Sequence, residues 1–347
     1  MLELDKNKPY SYILYTVFSI LFLLEHIVKI FDTTANFRIK AILKLTLLAI
    51  LLVFTIFLKI KKEVFFFLIA LILCFIMGQL ILTEKHSIFG SDLLEEVKRG
   101  DIYIIVKYLY ILFFVGVYEK ITFNENLTER LVKLFNGFMI INTIFISIGL
   151  LTNLELFKSY PYKNRFGYQG LIELAGESIH LYTIAISLAY IIYVKTNKYG
   201  LLLLFILGGV LLGKKAIFLY LILLALVHLV YLKNKKGLSL IGVLALLFVV
   251  FNKFIIETLL KIFPFWQDLY KAEGLVTVIF SKRDMLFEHS IGYIQANWHP
   301  LNYIFGGIDF LSFRSEFGFF DLFLAFGILG ISLYFGFIYK YFLSKQT

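Results

Sequence analysis

The sequence predicts an all-α, polytopic integral membrane protein of about ten spans, within a range of about ten to twelve, and two observations support this. The chain is 60% hydrophobic and 17% charged, whereas soluble domains are about 45–50% apolar and about 25% charged. The apolar residues also lie in long blocks, and about 20 residues of helix cross the hydrocarbon core of a bilayer. A soluble fold cannot cover so much apolar surface with so few polar side chains.

The spans follow from the apolar blocks in chain order. We assign them to residues 12–31, 41–58, 64–82, 102–118, 134–151, 178–194, 200–212, 216–232, 238–256 and 319–341. Only Gly213, Lys214 and Lys215 separate the seventh block from the eighth, and the seventh is shorter than a bilayer requires. These two blocks are therefore either two spans or one broken helix.

Lysine clusters between the apolar blocks predict the orientation. Cytoplasmic loops that are short carry an excess of Lys and Arg, and such clusters lie at residues 59–62, 195–198 and 233–236. This places both termini in the cytoplasm, within a single transmembrane domain over residues 1–347. The long polar loops then lie outside, at residues 83–101, 152–177 and 257–318. Aromatic and apolar residues recur in the last of these loops, before the final span, and predict helices within it.

Several classes of function are disfavoured. The net charge is +10, but the lysines lie between apolar blocks rather than on a soluble basic face, which argues against nucleic-acid binding. Cys74 is the only cysteine, so the chain cannot form an internal disulfide. We find no metal-binding histidine spacing, no P-loop and no dinucleotide-binding fingerprint. We therefore expect no metal and no cofactor.

Basic residues near the predicted outer ends of spans are candidates for ligand binding, because a bilayer makes ionised side chains costly. They are Arg165 before the span 178–194, Lys214 and Lys215 at the turn after residues 200–212, and Arg283 in the largest loop. Together they can bind an anion such as a diphosphate, with bidentate contacts from arginine and a point charge from lysine. The alternative is that they extend to lipid headgroups.

Two acidic residues lie near the start of the last span. Glu316 precedes it and Asp321 lies among its first residues. A carboxylate held near a reacting hydroxyl acts as a general base, and Glu316 is the stronger candidate because it lies outside the span. An acid at the position of Asp321 can instead cap the helix and face its dipole. His299, which precedes Pro300, can line the same site.

Four features follow one another between residues 165 and 330. The first is Arg165 with glycines before a span, and the second is the basic turn at Lys214 and Lys215. The third is a large loop with an arginine, a His-Pro pair and a glycine pair. The fourth is an acid, an aromatic stretch and Gly-x-x-Gly. The last two features contain Arg283, His299-Pro300, Gly306-Gly307, Glu316, Phe319-Phe320-Asp321 and Gly327-Ile328-Leu329-Gly330.

In this order, the features resemble the O-antigen polymerase and O-antigen ligase superfamily of bacterial polysaccharide assembly. That family more often has Ser-Arg at the basic turn. Its ligases tend to have His-Asn where this chain has Glu316-Phe317, which favours a polymerase. The resemblance implies a metal-independent glycosyltransferase in the bacterial cytoplasmic membrane that joins oligosaccharide units carried on undecaprenyl diphosphate. A chain-length regulator protein is an implied partner, besides membrane lipid.

The resemblance also implies roles for the candidate residues. Arg165, Lys214, Lys215 and Arg283 would bind diphosphate with His299 nearby, and Glu316, with Asp321, would take the proton of the acceptor hydroxyl. Two alternatives stay open. One is a ligase that transfers finished glycan. The other is a flippase for lipid-linked sugar, which should have an inverted repeat and charges near the middle of the membrane.

Overall fold

The computed structural model describes residues 8–27, 61–82, 125–160, 165–172, 175–233, 264–308 and 315–344, with residue 313 and scattered positions in 46–54, 108–117 and 237–242. Within these residues the regular elements are helices, and extended pairing is limited to a bridge between Lys158 and Tyr168. The helices are α1 (Lys8–Ile27), α2 (Lys62–Ile81), α3 (Glu125–Thr152), α4 (Ala175–Thr196), α5 (Gly200–Leu211), α6 (Lys215–Tyr231), α7 (Pro264–Phe280), α8 (Arg283–Asn297), α9 (Asn302–Phe305) and α10 (Gly318–Ile338).

The prediction of an all-α membrane protein is confirmed at this coarse level. Among the described residues, α2, α3, α4 and α10 are long and apolar enough to cross a bilayer, and α5 and α6 are shorter apolar helices. The spans assigned to residues 41–58, 102–118 and 238–256 lie mostly outside the described residues. The count of about ten spans therefore stays a prediction.

The chain divides into two compact units. Unit 1 contains Met1–Lys8, Thr46–Thr122 and Leu269–Thr347, and unit 2 contains Pro9–Leu45 and Phe123–Asp268. Candidate spans occur in both units, α2 and α10 in the first and α3 and α4 in the second. The single transmembrane domain expected over residues 1–347 stays a prediction.

In unit 2, α5 and α6 are two helices that run in opposite directions along α4. The chain turns at Gly213, which has a φ of +65° and ends α5 in the left-handed conformation that favours glycine. After the turn, Ile217 returns to the level of Gly209, and the His228 Nδ1 atom lies 3.1 Å from the Tyr190 hydroxyl on α4. The alternative of one broken helix is thus excluded.

The segment after α3, which the sequence assigns to the outer loop of residues 152–177, folds back along α3. Phe157 packs beside Phe145 of α3 with ring centroids 5.3 Å apart, and the Leu171 backbone N–H donates to Asn142 Oδ1 at 2.7 Å. Asn142 lies ten residues before the end of α3, so the segment folds back by about 15 Å along that helix. We call residues 153–160 and 165–172 the return segment.

In unit 1, α2 and α10 pack side by side in opposite directions. Glu63 at the start of α2 forms an ion pair of 2.6 Å with Lys340 after the end of α10. Further along the pair, the rings of Phe75 and Phe326 lie 6.3 Å apart. The ion pair places the start of α2 and the end of α10 at one end of the unit, consistent with their predicted location on one side of the membrane.

Helix α10 is interrupted at Gly327, where φ is +65° and ψ is −171°. The short stretch Asn302–Ile308 packs into the interruption. The Gly307 N–H donates to Leu324 O at 2.9 Å, and Asn302 Nδ2 donates to Gly78 O of α2, also at 2.9 Å. Irregular backbone within an apolar helix is tolerated where protein groups satisfy it, and the Gly307 N–H does so for Leu324 O, while Asn302 attaches the same stretch to α2.

The prediction of helices within residues 257–318 is confirmed. The helices α7, α8 and α9 occupy most of the described part of that segment. The left-handed residues Ser281 and Lys282 connect α7 to α8, and the Lys282 N–H donates to Thr277 O at 3.1 Å to close the end of α7.

Candidate functional site

Unit 2 brings together three of the basic residues expected from the sequence, and each of them lies over an aromatic ring. Arg165 is in the return segment, and Lys214 and Lys215 are at the turn from α5 to α6. The rings come from the return segment and from the first residues of α7. We call this group the basic–aromatic cluster; it contains Tyr160, Arg165, Lys214, Lys215, Phe265 and Trp266.

Backbone hydrogen bonds attach the return segment to the end of α5. The Tyr168 N–H donates to Leu211 O at 2.9 Å, and the Ser159 hydroxyl donates to Leu212 O at 3.2 Å. Glycines permit this approach, because a Cβ at Gly167 would lie 2.3 Å from Leu212 O and one at Gly213 would lie 2.4 Å from Phe166 O. Arg165 and Lys214 therefore lie on two backbone segments that are in direct contact.

A buried polar network holds the other end of the return segment. Asn142 Oδ1 accepts the Leu171 N–H, while Asn142 Nδ2 donates to the Tyr182 hydroxyl at 3.2 Å. The Tyr182 hydroxyl also lies 2.8 Å from Thr143 Oγ1. Each of these polar groups has a partner, so the network can lie within the apolar bundle without the cost of unsatisfied polar atoms. It fixes the depth at which the return segment stops.

Two cations share the ring of Tyr160. Lys214 Nζ lies 3.6 Å from its centroid and Arg165 Cζ lies 3.8 Å from it. The Trp266 ring contacts the same guanidinium at 4.5 Å and lies 3.4 Å from Lys215 Nζ. A ring face attracts cations, by about 0.5–2 kcal/mol each depending on desolvation. The rings thus hold like charges close to one another and reduce their repulsion.

The aromatic faces do not satisfy the hydrogen-bonding groups of the cations. Lys214 is only 4% exposed, and within the described part of the chain its Nζ and the Nε of Arg165 have no hydrogen-bond partner. Burial, and next the charge of Arg165, lower the pKa of Lys214 to about 7. Burial also lowers the pKa of Arg165 from its ordinary value. A buried ammonium without a partner is costly, and a bound anion would remove that cost.

The structure adds residues that the sequence interpretation did not select. Tyr160, Phe265 and Trp266 carry no charge, and the sequence indicates only that the last two belong to a segment rich in aromatic residues. Tyr160 lies five residues before Arg165, but Trp266 lies about a hundred residues further along the chain. The aromatic enrichment is visible in the sequence, whereas the pairing of each ring with a cation is a tertiary contact.

In unit 1, the predicted base and one predicted phosphate ligand lie next to each other. Glu316 Oε2 is 3.6 Å from Arg283 Nε, and both side chains are about half exposed. Arg283 begins α8, and Glu316 lies just before α10 with a φ of +57°. Exposed ion pairs contribute at most about 1 kcal/mol, so this pair can open when a ligand competes for either member.

Asp321 is engaged by the chain itself. Its Oδ1 accepts two hydrogen bonds of 2.8 Å from Ser315, one from the backbone N–H and one from the hydroxyl. The sequence offered a helix cap or a general base for Asp321, and the observed contacts are with the residue that precedes Glu316. Asp321 therefore closes the turn that enters α10.

His299 and the other candidate residues are divided between the two units. His299 is exposed, and its Nδ1 accepts the Leu301 N–H at 3.4 Å, which closes a local turn. It belongs with Arg283, Glu316 and Asp321 to unit 1, whereas Arg165, Lys214 and Lys215 belong to unit 2. Over the described ranges, no three His, Cys, Asp or Glu side chains gather as metal ligands.

No protein-family model, no curated protein and no solved structure matches this chain.

Proposed function

We propose that this protein is a membrane glycosyltransferase that polymerises a polysaccharide from oligosaccharide repeat units carried on undecaprenyl diphosphate. The observation that supports this most is in unit 2, where the buried Lys214 and the half-buried Arg165 lie over one ring. Lys214 Nζ and Arg165 Nε are buried, and the described residues offer neither of these atoms a hydrogen-bond acceptor. A site that keeps such cations unpaired is suited to an anion that arrives as substrate.

The chemistry of the cluster favours a phosphate-type anion. Arginine offers bidentate contacts to phosphate oxygens, and lysine adds a compact charge. Gly208 of α5 lies beside Tyr182 of α4, and the turn that carries Lys214 follows about 8 Å further along α5, near the level of the first residues of α4. An anion attached to a membrane lipid is delivered to the end of these apolar helices, because its tail already lies in the bilayer.

The reaction needs charge stabilisation more than it needs a cofactor. An acceptor hydroxyl oxygen bonds to the anomeric carbon of the donor sugar, and the bond from that carbon to the phosphate oxygen breaks. The bonding electrons leave with the lipid diphosphate, whose charge Arg165, Lys214 and Lys215 stabilise. Glu316 is the assigned base that accepts the hydroxyl proton, and the transition state resembles an oxocarbenium ion.

The remaining expectations from the family resemblance are part of the same proposal. The protein acts at the outer face of the bacterial cytoplasmic membrane, with both termini in the cytoplasm, and a chain-length regulator protein is its partner. The energy of polymerisation is stored in the lipid diphosphate, so no metal or nucleotide is required. Arg283 and His299 are assigned to further substrate contacts in unit 1.

A flippase for lipid-linked oligosaccharide is the second candidate, and the interruption of α10 favours it. Broken helices are frequent at substrate sites of transporters, and Gly327 breaks α10 nine residues after its start. A flippase would use the basic–aromatic cluster for the same diphosphate without breaking the bond to the sugar. The two candidates thus differ in product rather than in ligand.

The test is deletion of the gene in its host, followed by separation of the surface glycan on a gel. We expect single repeat units instead of polymer, and restoration of polymer by the wild-type gene. Lipid-linked polymer that never reaches its final acceptor would identify a ligase. Repeat units retained on the cytoplasmic side of the membrane would identify a flippase and contradict a polymerase.

Variants of the cluster make this test specific. We expect Lys214→Met and Arg165→Ala to reduce polymer by at least about tenfold, since each removes a charge-assisted contact worth about 1.5–3 kcal/mol. Lys198→Met and Arg130→Ala remove exposed cations outside the cluster and should leave polymer unchanged. Immunoblots of membranes establish equal protein levels. Normal polymer with both cluster variants would exclude the assigned diphosphate site.

A further inference from the structure

A closed turn connects Asp321 with the residues before α10. The Asp321 side chain accepts the N–H and the hydroxyl of Ser315, and the Asp321 N–H donates to Phe317 O at 2.8 Å. The Ser315 hydroxyl also accepts the Phe317 N–H at 3.0 Å. Ser315 is fully buried. Residues 315 and 317 are thereby fixed, and Glu316 lies between them.

The turn holds Glu316 in a backbone conformation that it would not adopt by itself. Its φ of +57° is in the left-handed region, which costs a residue other than glycine about 1 kcal/mol or more. Hydrogen bonds on both sides of Glu316 supply that energy. Phe317 is held further by contacts with the rings of Phe280 and Phe287, at 5.8 and 6.0 Å.

We propose that Asp321 and Ser315 are positioning residues, which hold the Glu316 carboxylate beside Arg283 for its role as base. This inference rests on the proposed function, and it makes Asp321 a residue that positions the base rather than a second base. A proton acceptor needs an open carboxylate oxygen near substrate, whereas Asp321 Oδ1 receives two hydrogen bonds from its own chain. The turn requires an oxygen at position 321 that accepts both hydrogen bonds from Ser315, whereas the charge of Asp321 is secondary.

Conservative and disruptive substitutions of Asp321 distinguish a positioning role from a role as proton acceptor. Asparagine at position 321 keeps an oxygen that accepts both bonds from Ser315 but cannot act as a base. We expect Asp321→Asn to retain polymer synthesis within about threefold, and Asp321→Ala to lose at least about tenfold, because a displacement of about 1 Å can cost about a hundredfold. Glu316→Gln is the inactive reference. Glu288→Gln, an exposed carboxylate on α8, is the control for loss of charge.

Amide hydrogen exchange tests the turn without reference to activity. In the purified full-length protein, we expect the amides of Ser315 and Phe317 to exchange faster in Asp321→Ala than in the wild type. In Asp321→Asn they should exchange at nearly the wild-type rate. The thermal unfolding temperature of each variant distinguishes local opening from general loss of the fold.

The outcomes are distinct. If Asp321→Asn is as inactive as Asp321→Ala while its exchange is normal, Asp321 acts through its charge and the positioning role is wrong. If the amides of Ser315 and Phe317 exchange equally fast in all three proteins, Asp321 does not hold the turn. If Glu316→Gln is active, or if deletion of the gene leaves the polymer intact, the proposed base or function has failed. The exchange data then still decide whether Asp321 shapes the turn, but its role in catalysis is overturned.

Discussion

Lys214 is the residue whose environment is hardest to explain by stability alone. It is almost fully buried, its ammonium lies over the Tyr160 ring, and Arg165 lies over the same ring. Replacing a buried charged group by an apolar one of similar size is often neutral or stabilising, by about 1–4 kcal/mol. A buried lysine kept in this position is therefore more easily explained by a ligand than by the fold.

The pKa of Lys214 predicts how anion binding depends on pH. With a pKa of about 7, the free protein loses the charge of this lysine as the pH rises through neutrality. A bound anion stabilises the charged form and raises that pKa. Above pH 7, affinity for an anion of constant charge should therefore fall by up to about tenfold per pH unit, whereas below pH 7 it should be nearly constant.

Sulfate is a suitable probe because its own charge does not change between pH 6 and 8. Titration calorimetry on the purified protein should show a smaller loss of affinity in Lys214→Arg, whose side chain stays charged, than in the wild type. Lys215, whose pKa burial lowers to about 8, accounts for the loss that remains in the variant. The difference between the two proteins isolates position 214. A wild-type affinity that is independent of pH would mean that this lysine does not contact the anion.

Without a bound anion, the stability of the protein should increase with pH. The unfolded chain, in which lysine has its ordinary pKa near 10.4, binds more protons than the folded chain above pH 7. Stability without anion therefore rises as the pH increases from about 7 to about 10. This is the behaviour expected of a group whose folded-state pKa is lowered by burial.

Among the elements, the return segment determines where Arg165 lies. It is held by buried apolar side chains such as Phe157 and by close backbone contacts at glycines. Gly167 has a φ of +145°, and a side chain there would also collide with Leu212 O. Together with Gly213, this position therefore controls the contact between the return segment and the turn that carries Lys214.

We expect Gly167→Ala to lower the free energy of unfolding by at least about 1–3 kcal/mol, from backbone strain and overpacking. It should also weaken sulfate binding by at least about tenfold, because Arg165 moves away from Lys214. Gly137→Ala, at an open helical position on α3, is the matched control; it should leave sulfate affinity unchanged and raise the free energy of unfolding by up to about 1 kcal/mol. Thermal unfolding with and without sulfate measures both effects. Normal sulfate affinity in Gly167→Ala would disconnect the return segment from the anion site.

Helix α10 contains two glycines that have different roles in the structure. The glycines at positions 327 and 330 are visible in the sequence as Gly-x-x-Gly within an apolar block, and the sequence gives no sign that one of them breaks a helix. The structure instead interrupts the helix at Gly327, where a Cβ would meet Ile304 O at 2.2 Å. Gly330 alone lies within a regular helical turn, against Phe326 and near Leu71 of α2.

At the scale of the whole molecule, the helices of unit 2 predict which ends share a side of the membrane. Lys198 follows α4 and Lys233 follows α6, and these two helices run in the same direction. Leu154 follows α3 at the other end of the unit, because Tyr168 packs against both Gly149 and the end of α5. By lysine content, Lys198 and Lys233 belong to the cytoplasmic side.

Single cysteines at these positions test the topology in membrane vesicles. In a Cys74→Ala background, an impermeant maleimide should label Lys198→Cys and Lys233→Cys in inside-out vesicles. It should label Leu154→Cys in right-side-out vesicles. The wild-type thiol is buried, so the unsubstituted protein serves as the unlabelled control. Labelling of Lys198→Cys and Leu154→Cys from the same side would contradict the arrangement of α3 and α4.

The sequence by itself determined the class of the molecule, because apolar blocks of bilayer length admit few other structures. It also selected the cations of unit 2, since charged residues beside apolar blocks are conspicuous. It predicted a loop for the return segment, but not that this loop folds back along α3. The backbone turns inward there because Asn142, inside α3 and bonded to the Tyr182 hydroxyl, accepts the Leu171 N–H and so supplies a hydrogen bond that a buried loop requires.

Only the tertiary structure decided which rings face the cations, that α5 and α6 are separate helices, and that Asp321 bonds to Ser315. Each of these depends on a contact or on a backbone angle that the pattern of apolar and polar residues does not encode. Trp266 reaches Arg165 and Lys215 across about fifty to a hundred residues of chain. Periodicity predicts that a helix exists and which residues are apolar, but contacts between distant segments depend on how the helices pack.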